Sequence, residues 1–130
     1  MKELHVALME FWQQFGIPVF LAGCVDDQTA FPYFVIEIAD GNVGGSDILT
    51  ATSWHRRQEG ESLTQVMLDR LDLIGRVMDA IPPGGVMLTF DGGYAIMYRN
   101  DASFVTYRVD ETDPDTIGAR IAYELQYYHM

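Results

Sequence analysis

The chain has 130 residues, and 19 acidic against eight basic side chains give it a formal net charge of -11 at pH 7. This length predicts a single domain over residues 1–130. The charge argues against sequence-specific nucleic-acid binding, which depends on clustered Lys and Arg, whereas Lys2 and the arginines here are scattered. Cys24 is the lone cysteine, which excludes an internal disulfide and a thiolate metal site.

We expect no targeting signal at the N-terminus. Met1 is followed by the charged residues Lys2 and Glu3, and no apolar run is long enough for a signal peptide or a membrane span. We therefore expect a cytosolic origin and no membrane partner.

The first third of the chain reads as one helix and three strands. Apolar residues at helical spacing predict a helix over residues 2–15, ended by Gly16 and Pro18. Residues 18–22 predict a short strand, at a sheet edge because it opens with proline. Residues 34–39 and 48–56 are rich in β-branched and aromatic side chains, and predict an antiparallel hairpin around a loop at residues 41–47.

A second helix is predicted over about residues 61–80. Ser62 with Gln65 three residues later matches a capping box, and Pro82 stops the helix. The predicted sheet-facing stripe recurs at three- and four-residue steps. It consists of Leu63, Val66, Met67, Leu71, Ile74, Val77, Met78 and Ile81.

The last third of the chain reads as a run of strands. Residues 86–90 and 94–99 predict a hairpin, because Asp91-Gly92-Gly93 supplies the positive φ angles of a tight turn. A further strand is predicted over residues 104–109, followed by an acidic loop at 110–115. Residues 117–130 alternate as a strand would but also fit helical spacing, and we favour the strand.

The element order is therefore α-β-β-β-α-β-β-β-β, which predicts an α+β fold: a mostly antiparallel sheet with two helices packed on it. Residues 34–36, 86–88 and 94–98 are apolar toward both faces of such a sheet. A two-helix layer covers one face only, so a partner subunit is the natural cover for the second. The alternative is a curled sheet with one helix on each face.

No catalytic, cofactor or metal motif emerges from the residues, and we predict that the protein is not an enzyme. His5, His55 and His129 lack the spacing of metal ligands, and the acidic loops at 26–27 and 110–115 lack a calcium-loop pattern. The glycine pairs fit turns rather than phosphate loops, and no serine sits in a GxSxG elbow.

The cluster Trp54-His55-Arg56-Arg57 has three interpretations. It could contact nucleic acid or an acidic partner, it could be a core tryptophan followed by solvated arginines, or its arginines could bridge to an acidic loop of a neighbouring subunit. The solvated interpretation is the most economical one. The candidate subunit-interface residues are Trp54, Arg56, Arg57, Tyr94, Met97 and Tyr98.

The order of motifs resembles a known family. The first half of the chain has an N-terminal helix, then Ile17-Pro18-Val19-Phe20, the run from Pro32 to Glu37 and a hairpin that closes at Ser53-Trp54-His55. The second half has a helix from Glu61-Ser62 to Ile81-Pro82, a Gly-Gly hairpin and an aromatic ending from Tyr123 to Tyr128. This pattern resembles the minor capsid and tail-terminator (tail-completion) proteins of long-tailed bacteriophages over nearly the whole chain.

The resemblance implies a non-enzymatic structural protein of the virion, assembled in the cytoplasm of a bacterial host. Members of that family form a homo-oligomeric ring, commonly six-fold, on the end of the tail tube. The ring stops tube growth and joins the head connector, so tail-tube and head-connector proteins are the implied partners. DNA passes through such a ring, and an acidic surface would not bind it.

Two other function classes remain open on the sequence. A small-molecule- or peptide-binding α+β domain would carry a closed apolar pocket between sheet and helices. A hydrolase using a metal would bring at least two carboxylates and a histidine together.

Overall fold

The computed structural model describes residues 2–39, 47–99 and 105–129. Within them two helices and seven strands follow the predicted order, so the α+β fold is confirmed. The elements are α1 (Lys2–Gln13), β1 (Val19–Leu21), β2 (Tyr33–Ala39), β3 (Asp47–Arg56), α2 (Leu63–Ala80), β4 (Val86–Phe90), β5 (Gly93–Arg99), β6 (Val105–Asp110) and β7 (Asp113–His129).

The strands form one sheet in the order β1-β2-β3-β7-β5-β4, and β1 lies at an edge as predicted. Only the β1–β2 pair is parallel, and the other described pairs are antiparallel. Strand β7 has 17 residues and is the strand that connects the two halves of the sheet. It pairs with β3 along one side, and with β6 and then β5 along the other.

Both helices pack on the same face of the sheet. Successive strand side chains point to opposite faces, and those on the helix side include Phe34, Ala51, Ile121 and Met97, which are at most 1% exposed. α1 contacts β1 and β4, and α2 contacts β3 and β7. The alternative arrangement, with the helices on opposite faces, is wrong.

A single hydrophobic core fills the space between the helix layer and the sheet. Trp12 of α1 is fully buried at its centre, with ring centroids 5.3 Å from Phe34 and 6.0 Å from Tyr123. α1 contributes Leu4 and Leu8 beside it. The buried aromatic area makes this layer the main source of stability.

The second helix begins as predicted but faces the sheet with a different stripe. Ser62 is the N-cap, and its Oγ accepts a hydrogen bond from the Gln65 amide at 3.1 Å. The buried residues are Val66, Leu73, Ile74 and Val77, followed by Ile81. The prediction for Leu63, Met67 and Leu71 is wrong, since they are 36%, 39% and 49% exposed.

The ambiguous C-terminal segment is a strand, because β7 runs through it to His129. The strand begins at Asp113, so the acidic loop shrinks to a turn at residues 111–112. Residues 40–46 and 100–104, which include most of the predicted loop at 41–47, lie outside the described residues.

Candidate subunit-interface surfaces

The sheet face opposite the helices, here called the open face, has no helix or strand of the described ranges packed on it. Its larger side chains are half-buried or exposed, in contrast to those on the helix side. Small residues such as Thr50 and Ala122 are buried between them. The large aromatic and aliphatic members are Phe20, Tyr33, Val35, Ile48, Trp54, Met87, Tyr94, Ile96, Tyr98 and Tyr128.

One end of the open face is an aromatic cluster built by β5 and β7. Tyr94 lies opposite Tyr128, and their rings stack with centroids 4.8 Å apart. Gln126 donates a hydrogen bond to the Tyr98 hydroxyl at 3.2 Å and accepts one from the Tyr128 hydroxyl at 2.6 Å. These contacts hold the rings in fixed positions, so little side-chain entropy remains to be lost if a partner covers them.

The other end of the open face is a tryptophan between arginines. Trp54 lies opposite Gly118, where an added Cβ would be 2.9 Å from the Trp54 ring. Only glycine allows the indole to lie this close to β7. Arg108 is the partner of Gly118 on β6, and Arg120 follows on β7. Both arginines are exposed, and neither has an ion-pair partner among the residues that the structure describes.

Charge on the open face differs from that of the chain as a whole. Its charged side chains are Arg108 and Arg120 against Glu37 and Glu124, together with Arg56, which is paired with Asp113. The full chain has a formal charge of -11. The acidic excess therefore lies elsewhere, and this face can meet an acidic surface without strong repulsion.

The second exposed surface is the outer surface of α2, defined here by Leu63, Met67, Leu68, Leu71, Asp69, Asp72 and Asp79. Leu68 is 53% exposed, more than any other leucine of the described chain. The two arginines of α2 turn back to their own chain. Arg70 donates to the Gly118 carbonyl at 3.0 Å and stacks over Tyr107 at 4.6 Å, and Arg76 donates to the Phe15 carbonyl at 3.2 Å. This surface is therefore both apolar and acidic.

Arg56 and Arg57 bind carboxylates of their own chain. Arg56 Nε donates to Asp113 at 2.8 Å, and Arg57 Nε donates to Asp115 at 3.0 Å. The hydrogen bond between Arg56 and Asp113 raises the pKa of the Arg56 guanidinium and lowers the pKa of the Asp113 carboxyl. In the single subunit these arginines thus pair with carboxylates at the start of β7 in the same molecule.

Met97 does not belong to either exposed surface. It lies on the helix side of β5, opposite Leu125, and is 0% exposed. Its inclusion in the predicted interface is wrong, because side chains alternate along a strand and its neighbours Tyr98 and Ile96 take the open face. Tyr94, Tyr98 and Trp54 are on the open face.

His55 belongs to a cleft between α2 and the end of β3. It is 5% exposed, and its Nε2 shares a hydrogen bond with Ser53 Oγ at 3.1 Å. Burial lowers the pKa of His55 to about 4, with the positive charge of Arg70 adding to the effect and Asp69 opposing it. At neutral pH the imidazole is therefore uncharged.

Two adjoining cavities of about 190 and 270 Å³ reach His55, and both are also lined by Pro32 and Asp69. Drug-sized ligand pockets usually begin near 300 Å³ and have mainly apolar walls. The walls of these two cavities carry charged side chains, so neither cavity is the closed apolar pocket expected for a ligand-binding domain.

No protein-family model matches this chain, and no curated protein matches it significantly. Neither helix of the described ranges is long and apolar enough to cross a membrane. Within residues 2–39, 47–99 and 105–129, no group of three or more His, Cys, Asp and Glu side chains could hold a metal ion.

The exposed part of α2 is the surface that sequence reasoning missed. A usable signal was present, because Leu68 lies across the helix from Val66 and Leu73, so the apolar positions exceed what one buried face can hold. Arg108 and Arg120 were missed as well. Their strands could be predicted, but the pairing of β6 with β7 that places them together is a long-range contact.

Proposed function

We propose that this chain is a structural subunit of a bacteriophage or prophage virion, a tail-terminator or minor capsid protein. Copies form a ring that caps the tail tube and joins it to the head. The observation that carries the proposal is the open face, which retains six large aromatic side chains, namely Phe20, Tyr33, Trp54, Tyr94, Tyr98 and Tyr128, without cover by a described helix or strand.

The two exposed surfaces differ, which supports a ring. A ring forms when one patch of each subunit meets a different patch of the next and the rotation closes. The open face is aromatic and carries the exposed Arg108 and Arg120, whereas the outer surface of α2 is aliphatic and acidic. Such unlike surfaces suit head-to-tail association better than a symmetric dimer.

The charge supports the same proposal. A ring that encircles DNA during packaging and ejection must not retain it, and a polyanionic chain would repel the phosphate backbone. The partners in this proposal are the tail-tube and head-connector proteins. The structure of the described residues gives no specific reason to prefer a ligand-binding domain or a metal hydrolase.

The test is assembly of the purified chain. Native mass spectrometry and negative-stain electron microscopy at about 10–100 µM should find one closed oligomer with a central channel, and the oligomer should bind the end of tubes made from the tail-tube protein of the same genome. A chain that stays monomeric at 14.7 kDa over this range and ignores the tube would contradict the proposal.

A further inference from the structure

We propose that the outer surface of α2 of one subunit docks on the open face of the next subunit. The inference rests on the proposed function and deepens it, because it states which two surfaces of the chain meet in the ring. The occupant of the open face is a second copy of this chain.

The outer surface of α2 has two unlike halves. Its N-terminal half carries the exposed side chains of Leu63, Met67, Leu68 and Leu71. Its C-terminal half carries Asp72, whose side chain is 75% exposed, and exposed Asp79. Arg76 lies 3.5 Å from Asp72 and also donates to the Phe15 carbonyl, so it offsets part of the charge of Asp72 and leaves that of Asp79.

The open face has two matching halves. At its aromatic end, Ile96, Tyr94 and Tyr98 form an apolar surface on which the leucines of α2 could pack. Its other end presents Arg108 and Arg120 beside Trp54, with no ion-pair partner for either arginine in the described parts of the chain. Carboxylates of α2 would supply the missing partners.

The spacing of the two halves agrees on both surfaces. From Leu68 to Asp79 the helix rises about 16 Å at about 1.5 Å per residue. From Gln126, which lies opposite Ile96, to Arg120 the strand extends about 20 Å at about 3.3 Å per residue. A helix laid along β7 therefore places Leu68 on the aromatic end and Asp79 near the arginine end, while Asp72, about 6 Å along the helix from Leu68, lies between the two ends.

Charge also selects this docking over others. A chain with a formal charge of -11 repels its own copies at most orientations. On the open face Arg108 and Arg120 balance Glu37 and Glu124, and Arg56 is paired with Asp113, so this face lacks the acidic excess of the whole chain and is the favourable place for an acidic helix to approach. Like-charge contacts at other orientations suppress competing arrangements.

The test uses two charge-reversal variants. The open-face variant carries Arg108→Glu and Arg120→Glu, and the helix variant carries Asp72→Arg and Asp79→Arg. Each places like charges across the proposed contact, so each alone should weaken self-association about 10-fold or more in sedimentation velocity experiments. All four side chains are exposed, so the circular dichroism spectrum and the melting temperature should stay near those of the wild type.

An equal mixture of the two variants should assemble again. In the mixture, the intact helix of one variant meets the intact open face of the other, and the two reversed surfaces meet with complementary charge. Restored oligomers that contain both variants, counted by native mass spectrometry, are the expected result. The matched control is Glu3→Arg with Glu10→Arg on α1, which should leave self-association unchanged or slightly stronger.

The outcomes separate the two proposals. If the wild type forms rings and both variants do so equally well, the docking surfaces are wrong while the proposed function stands. If the variants fail to associate and their mixture fails too, these arginines and aspartates do not pair, and the docking inference is again wrong. If the wild type itself never assembles or binds the tail tube, the proposed function fails.

Discussion

The two faces of the sheet differ in how far the side chains of the same strands are buried. Along β7, residues Ile117, Ile121 and Tyr123 point to the helix layer and are at most 1% exposed. The alternate residues Arg120, Glu124 and Tyr128 point to the open face and stay at least partly exposed. One face is completed by the chain's own helices, whereas the other remains available for a partner.

The difference separates positions that stabilise the single subunit from positions that would contact a neighbour in the proposed assembly. Side chains on the helix side are packed at the density of a protein interior, so shortening them leaves a cavity and lowers the free energy of unfolding. Most large side chains on the open face are only half-buried in one subunit, so shortening them should cost less stability and should affect the proposed assembly. The following predictions compare matched positions, measured in dilute solution because assembly itself stabilises the folded chain.

The two tryptophans provide the largest expected contrast. Trp12→Ala removes a fully buried ring from the core and should cost about 3–5 kcal/mol of unfolding free energy. Trp54→Ala on the open face should cost less than half as much. Urea unfolding of both variants checks this, and equal losses would mean that Trp54 is as much a core residue as Trp12.

Leu71 and Ile74, three residues apart on α2, test which face of the helix packs on the sheet. Ile74→Ala should cost about 2–5 kcal/mol, since Ile74 is 4% exposed in the core. Leu71→Ala should cost about 1 kcal/mol or less, because Leu71 is 49% exposed. The sequence pattern alone predicts large losses for both. Thermal unfolding that finds Leu71→Ala as damaging as Ile74→Ala would restore that first prediction.

The buried histidine gives the helix side a pH dependence. The pKa of His55 is about 4 in the folded chain against 6.5 unfolded, so between these values the unfolded state binds a proton that the folded state does not. Stability is therefore fully present above about pH 6.5 and falls as the pH drops toward 4, by about 3 kcal/mol in total. His55→Gln should flatten this slope, and an unchanged slope would remove His55 as its cause.

The smallest expected effects are at the two arginines that bind their own chain. Arg56→Ala and Arg57→Ala break exposed ion pairs with Asp113 and Asp115, which usually contribute little to stability. We expect nearly unchanged melting temperatures and unchanged assembly. Loss of assembly in either variant, with folding intact, would return these arginines to the subunit interface.

Local patterns were enough to predict most of the fold. The Ser62 cap, the Asp91-Gly92-Gly93 turn and the alternation after Ile117 each act over a few residues, so their signals lie in the nearby sequence. The strand order cannot be obtained in this way. It depends on the pairing of β7 with β3, β5 and β6, and these pairings are long-range contacts.

The candidate surfaces were predicted less well, for physical reasons. Met97 and Tyr98 are neighbours of similar hydrophobicity, and only the register of β5 with β7 decides which of them is buried. The partners of Arg56 and Arg57 lie 57 and 58 residues away along the chain. The apolar surplus of α2 was visible, but the helix rotation depends on packing against β3 and β7.

Methionine oxidation distinguishes a covered from an uncovered open face, because methionines occupy both faces of the sheet. Met87 on the open-face side of β4 is 63% exposed, and Met97 on the helix side is 0% exposed. Dilute hydrogen peroxide and peptide mass spectrometry should show Met87 oxidised quickly in the dilute monomer and protected at concentrations that favour assembly, with Met97 protected in both. Equal oxidation of Met87 at both concentrations would contradict the account, since the open face would then remain uncovered.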